Sequence, residues 1–402
     1  MDFISVSEFA ARHNVSERTA RNWCASGKIE GAFLTGKTWN VPVDANIPSY
    51  VFHFRYNAVL LLASIMMLAS CADSHVQTKR LTSKLIVQEY DLNGDGVLQG
   101  EPLHLQVMGA TDIVAVDSML IVTTSNRDAL FSVINLGNLS DRVDFGKVGR
   151  ARNEFLDTPS LFCKHYLEEN DGDLILYVSV SGGTRSVNLT RSLAKGIMVP
   201  GPEEDEEIPR WKTIVHLDGE TNFSYSNKIM ESPDIGDVPY FSIIRAGEES
   251  QIPVYGQPVE AASQIYYLYA YYGFLCRKPD GTKMAYAMTI KDYLHIMDMR
   301  ESTAISIHRQ GGADIDDKVD SSFKVQNQDA DVSDDYIILL SPHYTGDGLS
   351  SIRIFDWNGR LVGCHTLDRQ LKSITLDSEN QVLYGLDNVN EIFYKFDLSG
   401  IL

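Results

Sequence analysis

Twelve residues from Ala58 to Ala69 form an apolar run broken only by Ser64, and the chain then reads Ser70-Cys71. As a helix the run would span ~18 Å against the ~30 Å of a bilayer core, too short for a comfortable permanent span. Its other conformational reading is a buried core helix. The flanks favour an export signal: His53 and Arg55 give a modest positive n-region, Met66, Met67 and Leu68 finish an apolar h-region, and Leu68-Ala69-Ser70-Cys71 has the form of a bacterial lipobox. Everything after Cys71 is then expected outside the cytoplasm, held on the outer membrane or another envelope membrane by a diacylglycerol and palmitate anchor on Cys71. Residues ahead of it would be cytoplasmic, if made. A signal fifty residues into a chain is anomalous, and it implies either initiation at Val51 or a fusion of two reading frames.

This feature divides the sequence into residues 1–48, a linker and signal segment at 49–71, and an exported portion at 72–402. Charge divides in the same way. Residues 1–50 hold five basic groups (Arg12, Arg18, Arg21, Lys28, Lys37) and five acidic ones (Asp2, Glu8, Glu17, Glu30, Asp44), so the formal net charge of -19 belongs wholly to the remainder. A surface that acidic repels phosphate, which excludes nucleic acid as a partner of the exported portion. Of the five cysteines, no two stand in a CxxC pair. Cys163, Cys276 and Cys364 lie in strand-like apolar contexts and are expected as buried free thiols.

In the first fifty residues Ser5 and Glu8 have capping-box spacing, opening a helix to about Arg12. Ser16 caps a second helix, closed near Gly27. On that second helix Ala20 and Trp23 face inward, while Arg18, Arg21 and Asn22 share the opposite face. Ala32-Phe33-Leu34 and Thr38-Trp39-Asn40-Val41 flank Gly36-Lys37, a two-residue hairpin turn. The residues Ile4-Ser5-Val6-Ser7-Glu8-Phe9-Ala10, Asn14-Val15-Ser16, Trp23, Ser26-Gly27-Lys28-Ile29 and Gly36-Lys37-Thr38-Trp39-Asn40-Val41-Pro42 resemble the excisionase-like winged helix-turn-helix family. The resemblance implies DNA as a partner of residues 1–48 only, with Arg18, Arg21 and Asn22 at bases or phosphates and Lys37 on the wing touching backbone. A net charge of zero departs from the basic footprint of a tight binder, and a module for protein contact is the other reading.

From about Leu85 the pattern is one of short apolar runs with turn punctuation, an all-β signature. Expected strands include Ile113 to Val116, Leu120 to Thr124, Leu174 to Val180, Ile265 to Tyr271, Tyr293 to Met297, Tyr336 to Leu340, Ile352 to Phe355, Gln381 to Leu386 and Ile392 to Phe396. An apolar-Asp-apolar element followed by a turn recurs at Asp298, Asp356 and Asp397, spacings that bracket the ~40–50 residues of a four-stranded blade. The aspartate can accept turn amides and a following glycine can take positive φ. The fold expected is mainly β, a six-bladed β-propeller beside the small α-rich N-terminal domain; a pair of two-sheet sandwiches is the alternative.

The lipobox, Asp112 to Val122, Phe145-Gly146-Lys147-Val148-Gly149-Arg150 with Asn153-Glu154-Phe155-Leu156, Lys278-Pro279-Asp280-Gly281-Thr282-Lys283 and Leu383-Tyr384-Gly385-Leu386-Asp387 together resemble the TolB-like six-bladed propeller lipoproteins. Where such proteins usually carry Gly-Pro before Glu-Phe, this chain has Ala151-Arg152-Asn153. The resemblance implies fold and address rather than chemistry.

Several constellations carry weaker chemistry. Asp91, Asn93, Asp95 and Gly96 open like a calcium loop, but Pro102 stands where the bidentate carboxylate belongs and Glu101 falls one place early, so a plain turn is favoured. Histidines are scattered, with no HExxH, and there is no Gly-x-Ser-x-Gly elbow or phosphate-binding loop. Glu203-Glu204-Asp205-Glu206-Glu207 reads as a solvated insertion loop. Tyr266, Tyr267, Tyr269, Tyr271 and Tyr272 fit either a strand packed on both sides or a carbohydrate-binding face. Three functions stay open: a lipid-anchored binding or scaffolding module for an unknown protein or carbohydrate ligand, a hydrolase or lyase at a propeller channel, and a membrane-anchored transcription regulator with an external sensor.

Overall fold

Antiparallel hairpins, repeated along the chain, account for nearly all of its regular structure. The computed structural model describes residues 3–12, 17–25, 29, 31–36, 38–45, 83–92, 94–161, 167–180, 183–202, 212–218, 221–226, 240–255, 266, 269–342 and 348–402. Two units emerge, Met1–Asp73 and Ser74–Leu402.

The first unit runs β1 (Phe3–Ser5), α1 (Val6–Arg12), α2 (Glu17–Ala25), β2 (Phe33–Thr35) and β3 (Thr38–Pro42), with the strands in the order β1-β3-β2. Helix α1 begins where the sequence places its cap, because the Glu8 amide donates to Ser5 Oγ at 3.2 Å. Val6, Phe9, Ala20, Trp23 and Val41 form the core of this unit. The β2–β3 turn passes through Gly36 at φ +64°, a conformation glycine adopts without steric cost.

The second unit is mainly β, its described residues forming six small sheets. Three short strands come first: β4 (Lys84–Gln88), β5 (Val97–Leu98) and β6 (Glu101–Leu103). The first sheet is β7 (Ala110–Val116), β8 (Met119–Thr124), β9 (Phe131–Asn135) and β10 (Asn138–Phe145); the second is β11 (Leu167–Asn170), β12 (Asp173–Val180) and β13 (Gly183–Asn188), followed by helix α3 (Leu189–Lys195). The third is β14 (Lys212–Asp218), β15 (Thr221–Ser226), β16 (Tyr240–Arg245) and β17 (Glu248–Ile252). The fourth is β18 (Gly273–Arg277), β19 (Lys283–Met288), β20 (Tyr293–Asp298) and β21 (Thr303–Arg309), and the fifth is β22 (Asp329–Val332), β23 (Tyr336–Pro342), β24 (Ser350–Asp356) and β25 (Leu361–Leu367). The sixth is β26 (Ser373–Asp377), β27 (Val382–Asp387) and β28 (Ile392–Asp397). Strand β4 joins the fourth sheet parallel to β21, β5 joins the fifth parallel to β25, and β6 completes the sixth antiparallel to β28.

Because alternate residues of a strand face opposite sides, a sheet buried on both faces contributes to two cores. Among the described residues such cores lie between the first and second sheets, the third and fourth, the fourth and fifth, and the fifth and sixth. Phe131 and Phe145 of the first, with Phe155 of the connection that follows it, pack with Leu176 and Val178 of the second, and Phe223 and Phe241 of the third pack with Met284 and Tyr286 of the fourth. Ile296 and Ile307 meet Leu339 and Phe355, and Ile352 and Ile354 meet Ile374 and Phe396. A further core joins Tyr384, Leu386 and Phe393 of the sixth sheet to Ile113, Leu120 and Ile134 of the first. Each fully buried Phe or Ile in these layers contributes ~1.5–3 kcal/mol of transfer free energy as an upper estimate.

First strands are also stitched edge to edge. Asp329 Oδ2 accepts the Ile374 amide at 2.7 Å and Asp331 Oδ2 the Leu376 amide at 2.8 Å, while Thr375 Oγ1 accepts the Ala115 amide at 2.8 Å. Side-chain oxygens of β22 thus satisfy β26, and those of β26 satisfy β7.

Seven of the nine expected strands fall within observed ones, and an eighth, Gln381 to Leu386, does so except for Gln381, a turn residue at φ +52°. The ninth, Ile265 to Tyr271, is corrected: Tyr266, Tyr269 and Ala270 are helical. Tyr266 and Tyr269 sit three apart, one helical turn, and both rings pack on Phe323, with centroids 6.3 and 5.5 Å away. Cys276 and Cys364 are buried free thiols. Cys163 and the acidic run Glu203 to Glu207 lie outside the described residues.

Candidate functional site

Strand β24 places an arginine where an apolar residue is expected. Ile352 and Ile354 face the sixth sheet, so Ser351, Arg353 and Phe355 must face the fourth. Arg353 is 3% exposed there. Its NH1 donates to Asp292 Oδ1 at 2.6 Å, and its NH2 donates to Asn327 Oδ1 and to Ser341 Oγ at 3.1 Å. Asp292 stands just before β20, and its other oxygen accepts Arg309 Nε at 2.7 Å from the end of β21. Tyr90, two residues beyond β4, closes the cluster: its hydroxyl lies 3.0 Å from Arg353 NH1 and its ring packs edge-on to Phe355 at 6.3 Å.

Electrostatics follow from burial. Desolvation would raise the Asp292 carboxyl, but the Arg353 and Arg309 guanidiniums outweigh it and hold the group below the usual carboxylate range. Desolvation also raises the Tyr90 phenol, keeping it neutral. A buried pair of this kind is strongly destabilised when one partner is lost, by ~3–5 kcal/mol. Arg353 Nε has no hydrogen-bond partner among the described residues.

Beside this cluster, Lys291 is sealed at 2% exposure, its ammonium donating to the Asp314 and Asp317 carbonyls. Burial lowers its proton affinity. His295 Nδ1 lies 2.8 Å from Ser306 Oγ, the contact a nucleophile and base would make. Both are enclosed: Ser306 also accepts the Tyr255 amide at 3.1 Å, and His295 stacks between Tyr286 and Tyr293. Burial pushes His295 down to about 3. Among the described residues both side chains are closed off from solvent, at 2% and 0% exposure, and pack within the fourth sheet.

The residues singled out from sequence are distributed as follows. Arg21 lies exposed on α2 with its Nε donating to Glu17 Oε1 at 3.1 Å. Arg18 and Asn22 lie on the same helix, and their side chains are outside the described residues, as are Lys37, Asn93 and Cys71. The calcium-like turn is docked on β25: the Asp95 amide donates to the Cys364 carbonyl at 2.6 Å and Asp95 Oδ2 accepts the Cys364 amide at 3.3 Å. Among the described residues no three acidic, histidine or cysteine side chains gather as a metal site. In the loop with the unusual Ala151-Arg152-Asn153, the Glu154 carboxylate accepts the Ala151 amide at 3.0 Å and pairs with Lys147 at 3.0 Å. Arg185 lies over the Phe155 ring at 4.6 Å.

Sequence reading missed Arg353, Asp292 and Tyr90. The available signal was a charged residue inside the strand-like run Ser351-Ile352-Arg353-Ile354-Phe355, which only a buried partner makes tolerable.

No protein-family model and no curated protein matches the chain. Among solved structures, it is similar to a luciferin-regenerating enzyme (10% identity, TM-score 0.40, covering 74% of this chain and 94% of that one). It is also similar to a calcium-binding regucalcin of Agrobacterium tumefaciens (9%, 0.38, 78% and 95%) and to a protein of Bacteroides fragilis described as exported (10%, 0.44, 78% and 99%).

Proposed function

We propose that residues 72–402 form a closed six-bladed β-propeller, exported and lipid-anchored through Cys71, that works as a binding or scaffolding module at an envelope membrane. The observation that carries the closed form is the core between the sixth and first sheets, with Thr375 of β26 accepting the Ala115 amide of β7. Six sheets in series, the last packed on the first, need no open face, and β6 supplies the outer strand of the sixth sheet from the other end of the unit. Binding is supported by where the long connections fall. In a meander of alternating strands, turns such as 117–118, 136–137 and 246–247 lie at one end of the sheets. The longer connections 104–109, 125–130, 146–159 and 310–328 gather at the other, a surface for a protein or carbohydrate ligand.

The anchor is supported by the lipobox and its apolar leader. Metabolic labelling with palmitate tests it: label should enter the wild-type protein in the membrane fraction and vanish with Cys71→Ala. Full-length, unlabelled, soluble wild-type protein would defeat the proposal.

For residues 1–48 we infer a winged helix-turn-helix, favoured by the capped α1, the α2 that follows it and the β2–β3 hairpin around Gly36. Gel shifts with random-sequence DNA test it. Arg21→Ala should weaken binding and flatten its salt dependence by about one unit of slope; an unchanged shift would exclude Arg21 from the interface.

A further inference from the structure

The fourth and fifth sheets each hold four antiparallel strands before the N-terminal strands are added. Strand β4 is therefore supernumerary: it lies parallel at the outer edge of β21, and none of its five residues is fully buried. Its deep attachment comes just after it, at Tyr90, which reaches between the two sheets to Arg353.

The floor beneath Tyr90 is assembled without it. Arg353 keeps Asp292, Asn327 and Ser341, and Asp292 keeps Arg309. Withdrawal of Tyr90 would remove one hydrogen bond to NH1 and expose a recess lined by Asp292, Tyr293, Asn327, Leu339, Arg353 and Phe355. Among the described residues two guanidiniums there face one carboxylate, an excess of positive charge, and Arg353 Nε is unpartnered. Such a recess matches a small carboxylate, which neutralises the excess and accepts from an arginine with planar, charge-assisted geometry.

We propose that residues 83–92 are a detachable latch whose Tyr90 occupies, in the closed form, a socket for a small carboxylate between the fourth and fifth sheets. Closed, the latch is held by the β4–β21 ladder, by the Gln310 amide donating to the Gln88 carbonyl at 2.8 Å, by Gln88 Nε2 donating to the Gly359 carbonyl, by Cys364 Sγ 3.7 Å from the Leu92 carbonyl, by Ser83 Oγ lying 2.9 Å from Ser306 Oγ, and by the phenol. Apart from the phenol, the β4 contacts lie at a sheet edge, of the kind that opens locally before the sheets beneath it.

Hydrogen exchange on the full chain, read by mass spectrometry, tests the latch, and acetate is the probe of the socket. Tyr90→Ala should speed exchange across residues 84–90 about tenfold while leaving β7 to β9 unchanged. Acetate at about 50 mM should raise the Tm of Tyr90→Ala by about 1 °C or more over equal chloride, and leave the wild type unmoved. Tyr90→Phe keeps the ring and loses only the Arg353 contact, so it should loosen residues 84–90 severalfold without admitting acetate; if Tyr90→Ala does not fold, this local loosening decides the latch. Faster exchange spread evenly over all six sheets in either variant would overturn the latch, and an absence of any acetate-specific shift in Tyr90→Ala would overturn the socket.

Discussion

Thr375 accepts the backbone amide of Ala115 at 2.8 Å across 260 residues of sequence. It is one of the few polar contacts by which the last sheet holds the first, and Thr375 itself is fully buried. Thr375→Val keeps the shape and removes the acceptor, leaving the half-buried Ala115 N–H facing an apolar side chain. The cost should be about 1–3 kcal/mol, read as a lower urea midpoint with an unchanged m-value. A loss under about 0.5 kcal/mol would mean that the amide is satisfied elsewhere.

Gly94 is required twice over. Its φ is +64°, and a Cβ built there would stand 1.9 Å from the Cys364 carbonyl oxygen. Gly172, at φ +79°, has nothing within 4 Å of the same position. Gly172→Ala should cost only the conformational penalty, about 1–2 kcal/mol, whereas Gly94→Ala should cost about 1–3 kcal/mol more because backbone must shift. Equal losses in thermal unfolding would show that the turn over Cys364 moves freely.

How much of this was legible depends on how local each cause is. The Asp298, Asp356 and Asp397 turns were readable because donor and acceptor lie within four residues. Asp356 Oδ1 takes the amides of Asn358 and Arg360 at 2.8 and 2.9 Å, and Asp397 Oδ1 that of Ser399 at 2.8 Å. Strands β8 and β12 were readable from short apolar runs between turns. Strand β5 was not: it has two residues, and its partner on β25 lies some 270 positions away. Arg353 and Asp292 are 61 residues apart, and nothing at either site announces the other. The run from Ile265 to Tyr271 was read as extended because aromatic residues favour strands, and at Tyr266 and Tyr269 packing on Phe323 goes with a helical backbone instead.

Asn135 fills the aspartate's place in the first sheet, ending β9 and accepting the Gly137 amide at 2.9 Å. The exception has a local cause: Asn135 Nδ2 also donates to Asp141 Oδ2 at 3.5 Å, where an aspartate would set two carboxylates side by side. Asn135→Asp should thus destabilise by about 0.5–1 kcal/mol despite preserving the turn acceptor, and added salt should shrink the loss. Combining it with Asp141→Asn should restore stability; a double-mutant cycle with no coupling would discard the explanation.

His295 gives the protein an acid-sensitive term with a definite sign. Burial holds the folded imidazole at about 3, whereas an unfolded histidine titrates near ~6.5. Below that upper value the unfolded chain takes up a proton that the folded one refuses, so unfolding gains ground as pH falls. The term is absent above about pH 6.5 and grows down to the folded value, with a slope approaching ~1.4 kcal/mol per pH unit. His295→Asn keeps a polar atom toward Ser306 and removes the proton site. Urea midpoints at steps between pH 7 and 4 should then converge: the variant starts less stable at pH 7, through lost packing between Tyr286 and Tyr293, and closes the gap as the medium becomes acidic. Carboxylates that titrate in the same range act alike in both proteins and cancel in the difference. A wild-type advantage that stays constant from pH 7 to 4 would place the folded His295 near its ordinary affinity, accessible to solvent rather than enclosed.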